Sequence, residues 1–121
     1  MNRLIAVGLL LLLVGCGTGR GVEHSVPSLL KSLKDKDPNM RYWAAESLGH
    51  FGKEAKSAVP GLAAALKDED KNVRMGAAYA LAEIGPDGRE AQAALQEALR
   101  DPEKQVRDAA AYALKRVQGR R

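Results

Sequence analysis

Residues 59–85 read VPGLAAALKDEDKNVRMGAAYALAEIG, and this pattern recurs on both sides at a spacing of 33 residues, with no insertion or deletion. The matching positions include Leu29, Leu62 and Leu95, then Asp35, Asp68 and Asp101, then Arg41, Arg74 and Arg107, then Leu48, Leu81 and Leu114. A fixed period of this length is typical of a solenoid, in which each unit buries its apolar face against its neighbours. The repeat therefore predicts three stacked units.

Each unit contains two segments with helical character, separated by an aspartate-rich turn. Val59-Pro60 places proline in a first helical turn, where its missing N–H costs nothing. Gly85 follows the last apolar residue of the second segment, where a left-handed residue is well tolerated. Alanine is abundant and aromatic residues make up only 4% of the 121 residues. We therefore predict an all-α fold, a right-handed α-solenoid of three helix-pair repeats at about 26–52, 59–85 and 92–118, in a domain spanning 26–121.

The sequence also predicts where helices begin and which side of the second helix is buried. Ser25 and Ser57 precede the first helices of their units and are the expected caps. Asp37-Pro38 and Asp101-Pro102 predict the starts of second helices. In the middle unit the apolar positions recur at the helical period and predict a buried stripe. This stripe consists of Val73, Ala77, Ala80, Leu81 and Ile84.

The repeated motif resembles the short HEAT-like repeats of the phycobilisome-lyase type. It stands here as Val59-Pro60-Gly61-Leu62, Leu66-Lys67-Asp68, Val73-Arg74 and Ala77-Ala78-Tyr79-Ala80-Leu81, closing with Ile84-Gly85. The resemblance covers residues 26–118. It implies that the turn aspartate and the helix arginine of each unit form a structural ladder between neighbouring repeats. The ladder residues would be Asp35, Asp68, Asp101, Arg41, Arg74 and Arg107, which we expect to serve packing and not catalysis.

Two groups of enzymes built from similar repeats raise the question of catalysis. Deoxyhypusine hydroxylase holds iron with His-Glu pairs on its second helices, whereas the matching positions here are Tyr42-Trp43, Met75-Gly76 and Asp108-Ala109. Bilin lyases need a pocket for a large tetrapyrrole, and three small repeats offer little concavity. The chain contains no His-Glu pair, and its two histidines, His24 and His50, are not adjacent, so they cannot build that carboxylate–imidazole site. We therefore predict no enzymatic activity, no cofactor and no metal site. The alternative is a degenerate relative of these enzymes that retains ligand binding.

The first sixteen residues differ in character from the repeats. Arg3 precedes an apolar run from Leu4 to Val14, which as a helix would span about 17 Å and is too short to cross a bilayer of about 30 Å. A positive start and a short apolar stretch match the outline of a secretory signal peptide. The ending Leu13-Val14-Gly15-Cys16 resembles the lipobox of bacterial lipoproteins. The resemblance implies a signal peptide at 1–15 and a diacylglycerol on Cys16, the only cysteine of the chain.

Residues 16–25 would then form the lipidated cysteine and a flexible tether rich in glycine and polar residues. We expect an exported protein that is lipid-anchored to a bacterial membrane. That membrane would be the outer membrane, or the cell membrane if the host has only one.

The charge distribution argues against nucleic-acid binding. The formal net charge is +4, but the three repeats carry formal charges near zero, and no basic face stands out of the kind that a nucleic-acid binder gathers. We therefore expect a protein or peptide partner in the cell envelope, with self-association through the solenoid ends as a further expectation.

The second helices supply the candidate partner-binding residues. These are Tyr42, Trp43, Met75, Tyr79 and Tyr112, of types that are enriched at protein interfaces. Tyr79 and Tyr112 occupy equivalent positions and should lie in one row. Two other interpretations stay open at this point: these side chains fill the seams between repeats, or Trp43 covers an open end of the solenoid.

Overall fold

The computed structural model describes residues 24–120, which form three helix pairs. The predicted signal peptide, Cys16 and the tether before His24 lie outside the described residues. The helices are α1 (Val26–Ser32), α2 (Pro38–His50), α3 (Val59–Ala65), α4 (Lys71–Ile84), α5 (Gln92–Ala98) and α6 (Lys104–Val117). Two 3-10 segments, Gly52–Ala58 and Gly85–Ala91, connect the pairs. Because residues 24–120 contain no strand, the predicted all-α solenoid is confirmed.

Packing follows the repeat. Each first helix packs on the second helix of its own pair, and α4 lies between α2 and α6. The core is made of alanines and of leucines that recur at the same position, of which Leu48, Leu62 and Leu81 are completely buried. All five residues of the stripe predicted on α4 are buried as well. Burial of these small and medium side chains is the main stabilising contribution in this fold.

The predicted helix starts are partly wrong. Ser25 caps α1 as expected, in a reciprocal capping box with Ser28. Ser57, however, lies inside a 3-10 segment, and α3 begins after Ala58 without a side-chain cap. The start predicted at Asp101-Pro102 is displaced too, since α6 begins at Lys104.

The reason for the second displacement lies in the repeat register. The capping position of the second helix is occupied by Asp37 in the first pair and Asp70 in the middle pair, whose carboxylates accept hydrogen bonds from backbone N–H groups of the first turn. Its equivalent in the last pair is Glu103, which forms no such side-chain bond. Asp101 stands two residues earlier, and its carboxylate accepts from the Glu103 N–H and from Arg74.

The second helices approach each other closely because small residues face one another. A Cβ placed on Gly49 of α2 would lie 2.9 Å from the Cα atom of Ala80 on α4. Gly49, in the last turn of α2, therefore allows this close approach. Gly85, with φ of 73°, ends α4 in a conformation that other residues rarely adopt.

Within residues 24–120, no helix is long and apolar enough to span a bilayer.

Candidate functional site

Arg41, near the start of α2, joins the first two repeats. Its Nε and Nη2 atoms donate to the two carboxylate oxygens of Asp68, at 2.9 and 3.0 Å. Its Nη1 atom donates to the carbonyl oxygens of Asp35 and Lys36 in its own turn, at 2.8 and 3.0 Å. The hydrogen bond to Asp68 is the main reason that the pKa of the Arg41 guanidinium is raised. A guanidinium fork matches a carboxylate in this bidentate way, and the pair therefore fixes the relative position of two turns.

Arg74 on α4 repeats this arrangement one repeat further on. It donates from Nε and Nη2 to Asp101 at 2.8 and 3.1 Å, and from Nη1 to the carbonyl oxygen of Asp68 at 2.8 Å. Arg107 donates from Nη1 to the carbonyl oxygens of Asp101 and Pro102. Among residues 24–120 it has no carboxylate partner. The described ladder thus contains two rungs between repeats.

Asp35 stands at the other end of the ladder. Its carboxylate accepts a hydrogen bond from the N–H of Asp37 at 2.8 Å. No arginine in the described part of the chain donates to this carboxylate, although Arg41 donates to the Asp35 carbonyl oxygen. The two complete rungs leave Asp68 and Asp101 with both carboxylate oxygens hydrogen-bonded. Such carboxylates are poorly placed to accept a substrate proton or to hold a metal ion.

The outward side of the second helices carries an aromatic pair. Tyr79 of α4 is 45% exposed and Tyr112 of α6 is 50% exposed. Their ring centroids lie 6.2 Å apart with the planes tilted by 53°, a spacing within the range of favourable aromatic pairs. Large side chains so exposed contribute little to the core, so the pair is available for contact with a partner.

The other three predicted residues are more buried. Tyr42 and Met75 occupy equivalent positions on α2 and α4 and are half-buried at the seam between these helices. Trp43 is also half-buried against the core, and its ring meets that of His24 edge-on at a centroid distance of 5.3 Å. The structure therefore brings Tyr42, Met75 and Tyr79 together along one groove and places Trp43 apart from them.

The groove lies between α2 and α4, and we call it the α2–α4 groove. It is lined by Tyr42, Glu46, His50, Met75, Gly76, Tyr79, Ala80 and Glu83. Sequence reasoning missed the two glutamates. The signal that could have found them is their spacing, because Glu46 and Glu83 each stand four residues after a tyrosine and therefore on the same helix face.

Tyr42 is the one tyrosine with a hydrogen bond to an acidic group in this groove. Its hydroxyl donates to Oε1 of Glu46 at 3.3 Å. Burial of the ring, followed by the charge of Glu46 and this hydrogen bond, raises the pKa of the Tyr42 phenol. The neutral phenol is thereby favoured as a hydrogen-bond donor, and it orients the Glu46 carboxylate.

The described residues provide no evident metal centre. No group of three or more His, Cys, Asp or Glu side chains in residues 24–120 is arranged to hold a metal ion. The two histidines are separated, since His50 lines the α2–α4 groove and His24 contacts Trp43. The α2–α4 groove presents aromatic rings, small residues and carboxylates.

Comparison with solved structures shows similar arrangements in longer proteins. An engineered protein is 28% identical with a TM-score of 0.66, and the match covers 78% of this chain and 45% of that one. Human deoxyhypusine hydroxylase in complex with glycerol is 33% identical with a TM-score of 0.65, and the match covers 82% of this chain and 34% of that one. The chain thus spans less than half the length of either protein. A search of curated proteins found no match.

Comparison with protein families gives a match to HEAT repeats over residues 26–115, which includes all three helix pairs except the end of α6. The match agrees with the repeat period, the helix pairs and the arginine–aspartate rungs described above. The chain belongs to the HEAT repeat family.

Proposed function

We propose that this chain is a non-catalytic protein-interaction module and that it binds its partner with the outward side of its second helices. The observation that carries the proposal is the exposed pair of Tyr79 and Tyr112, whose rings lie side by side on neighbouring helices. Tyrosine supplies a large contact area at low entropic cost and is enriched among residues that dominate binding energy.

The use of the charged residues supports the same proposal. The charges that recur from repeat to repeat at the turns serve packing, since Arg41 binds Asp68 and Arg74 binds Asp101. Between α2 and α4 the second helices then present tyrosines and the carboxylates of Glu46 and Glu83 beside small residues. This composition suits contact with a protein segment better than it suits bond-breaking chemistry, which would need a nucleophile with a base beside it.

We further propose that the module is exported and held at a bacterial membrane of the cell envelope by a lipid on Cys16. The support is the lipobox-like ending Leu13-Val14-Gly15-Cys16 after a short apolar run. Because two or three acyl chains anchor a protein stably where one does not, Cys16→Ala should move the protein from the detergent phase to the aqueous phase. Unchanged partitioning of the variant would remove this part of the proposal.

The interaction proposal is tested by photocrosslinking in the native host. A photoreactive phenylalanine analogue is placed at Tyr79 or Tyr112, and at Ala93, an exposed position on α5, as the control. We expect discrete adducts of higher mass from the two tyrosine positions and none from the control. Equal adducts from all three positions, or none from any, would argue against the outward side of the second helices as the binding surface.

A second candidate function follows from the similarity to deoxyhypusine hydroxylase, which covers 82% of this chain. In this alternative the chain is a degenerate relative of a repeat enzyme and retains ligand binding. Metal analysis and an absorption spectrum of the protein purified from its host distinguish the two. Bound iron or a pigment at stoichiometric level would support the alternative and overturn the interaction module as we propose it.

A further inference from the structure

The geometry points to a specific occupant of the α2–α4 groove: we propose that it receives a lysine or arginine side chain from a basic segment of the partner protein. This inference rests on the proposed binding function and adds the chemistry of the partner. The groove has a volume of about 190 Å³ and is open to solvent between the two helices.

The floor of the groove is made of small residues. A Cβ on Gly76 would lie 3.0 Å from the Cδ1 atom of Tyr42, so the missing side chain lets the Tyr42 ring lie directly against α4. Ala80 continues the floor towards the end of the helix. Because no large side chain rises from this floor, the groove stays open although α2 and α4 are in close contact.

The walls are aromatic. Tyr42 stands on α2 and Tyr79 on α4, and both line the groove together with Met75. Aromatic faces attract an ammonium or guanidinium group within about 6 Å, and arginine also stacks on them. The apolar stem of a lysine or arginine would pack along the same rings while its charged end stays hydrated in part.

The charge of the groove selects the sign of the occupant. Glu46 and Glu83 line it, and neither forms an ion pair with a basic side chain in residues 24–120. The Glu83 carboxylate is directed back towards α2, since its Oε1 atom would lie 2.8 Å from a Cβ on Gly49. Carboxylates without a basic partner favour a cationic group at this groove and disfavour an acidic one.

The test uses the full chain and a display library of random heptapeptides as the probe, selected at low salt. We expect the selected peptides to be enriched in lysine or arginine, and replacement of that residue by norleucine to abolish binding. Glu46→Gln and Glu83→Gln should each weaken a selected peptide roughly 3- to 5-fold, which is the scale of one exposed ion pair. Glu90→Gln, an exposed glutamate on the Gly85–Ala91 segment, is the matched control and should leave binding unchanged.

The outcomes separate this inference from the function on which it rests. Selected peptides that lack basic residues, bind equally to the glutamate variants and lose binding to Tyr79→Ala would leave the interaction module in place and overturn the cationic occupant. Failure to select any peptide that competes at this groove would count against both the interaction module and the cationic occupant. Basic peptides that bind the Glu90→Gln, Glu46→Gln and Glu83→Gln proteins equally would show a diffuse charge effect and overturn the inference.

Discussion

Arg74 on α4 and Asp101 in the turn after α5 form a two-point hydrogen bond, with Nε and Nη2 of the arginine at 2.8 and 3.1 Å from the carboxylate oxygens. The two side chains are 13% and 7% exposed, so the pair lies largely out of water. The same arginine also binds backbone carbonyl oxygens of its own turn. One side chain therefore holds two successive repeats in register.

Replacement of this arginine by lysine should destabilise the fold. Arg74→Lys keeps the charge but loses the planar fork, and we expect the free energy of unfolding to fall by about 1–3 kcal/mol, since hydrogen bonds to charged groups are worth about this much. Arg107→Lys is the matched control, because Arg107 has no carboxylate partner in the described chain, and should cost less. Urea denaturation of both variants measures the difference. Equal losses would show that the carboxylate contact contributes nothing.

Gly49 should be intolerant of even one added methyl group. Gly49→Ala places a Cβ 2.9 Å from the backbone of Ala80, so α2 and α4 must move apart. We expect a net loss of up to about 2 kcal/mol, because an overpacking cost of about 1–3 kcal/mol is partly offset by a gain of about 1 kcal/mol in helix propensity. In Gly88→Ala the new Cβ would meet Val117 at an ordinary 3.4 Å, and the thermal midpoint should change little. A Gly49→Ala protein as stable as this control would contradict the close approach.

The two leucines at positions 81 and 99 should respond differently to truncation. Leu81 is fully buried and Leu99 is 39% exposed. Leu81→Ala leaves a cavity in the middle repeat and should lower the free energy of unfolding by about 2–5 kcal/mol. Leu99→Ala should cost less than half as much, because part of its surface is already in water. Chemical denaturation tests both, and a loss below about 1 kcal/mol for Leu81→Ala would place Leu81 outside the core.

The raised pKa of Tyr42 predicts a pH dependence. An unfolded tyrosine loses its proton near pH 10, whereas folded Tyr42 keeps its proton to higher pH. Stability should therefore be fully present below pH 10 and decline as the pH rises through the raised pKa. The tyrosinate absorbance of the wild type minus that of Tyr42→Phe isolates this group. Glu46→Gln should lower the pKa of Tyr42 towards 10, and an unchanged titration would show that Glu46 does not act on it.

Much of the fold could be predicted because the repeat carries its own register. The helix Lys71–Ile84 begins and ends where its apolar period predicts. The Asp70 carboxylate caps its first turn, and Gly85 ends it with a positive φ. The resemblance to HEAT-like repeats implies a ladder of turn aspartates and helix arginines, and in the structure Arg41 contacts Asp68 and Arg74 contacts Asp101. The start of α6 was misjudged because Pro102 resembles Pro38 locally, although it occupies a different place in the repeat.

The parts that could not be predicted depend on contacts between helices. The 3-10 segments Gly52–Ala58 and Gly85–Ala91 have too few apolar residues to show a period, although Ala55, Ala58 and Ala91 are buried in them. The groove was missed for a similar reason. Glu46 and Glu83 do not repeat from unit to unit, and only the packing of α2 on α4 brings them together.

We propose that the exposed Tyr79 and Tyr112 serve a partner and not the fold. The most direct measurement compares Tyr79→Ala/Tyr112→Ala with the wild type, both for thermal unfolding and for the amount of partner captured from the host envelope. Under this proposal we expect a melting temperature within a few degrees of the wild type and loss of the captured partner. A variant that unfolds, or one that is stable and still captures the partner in full, would contradict it.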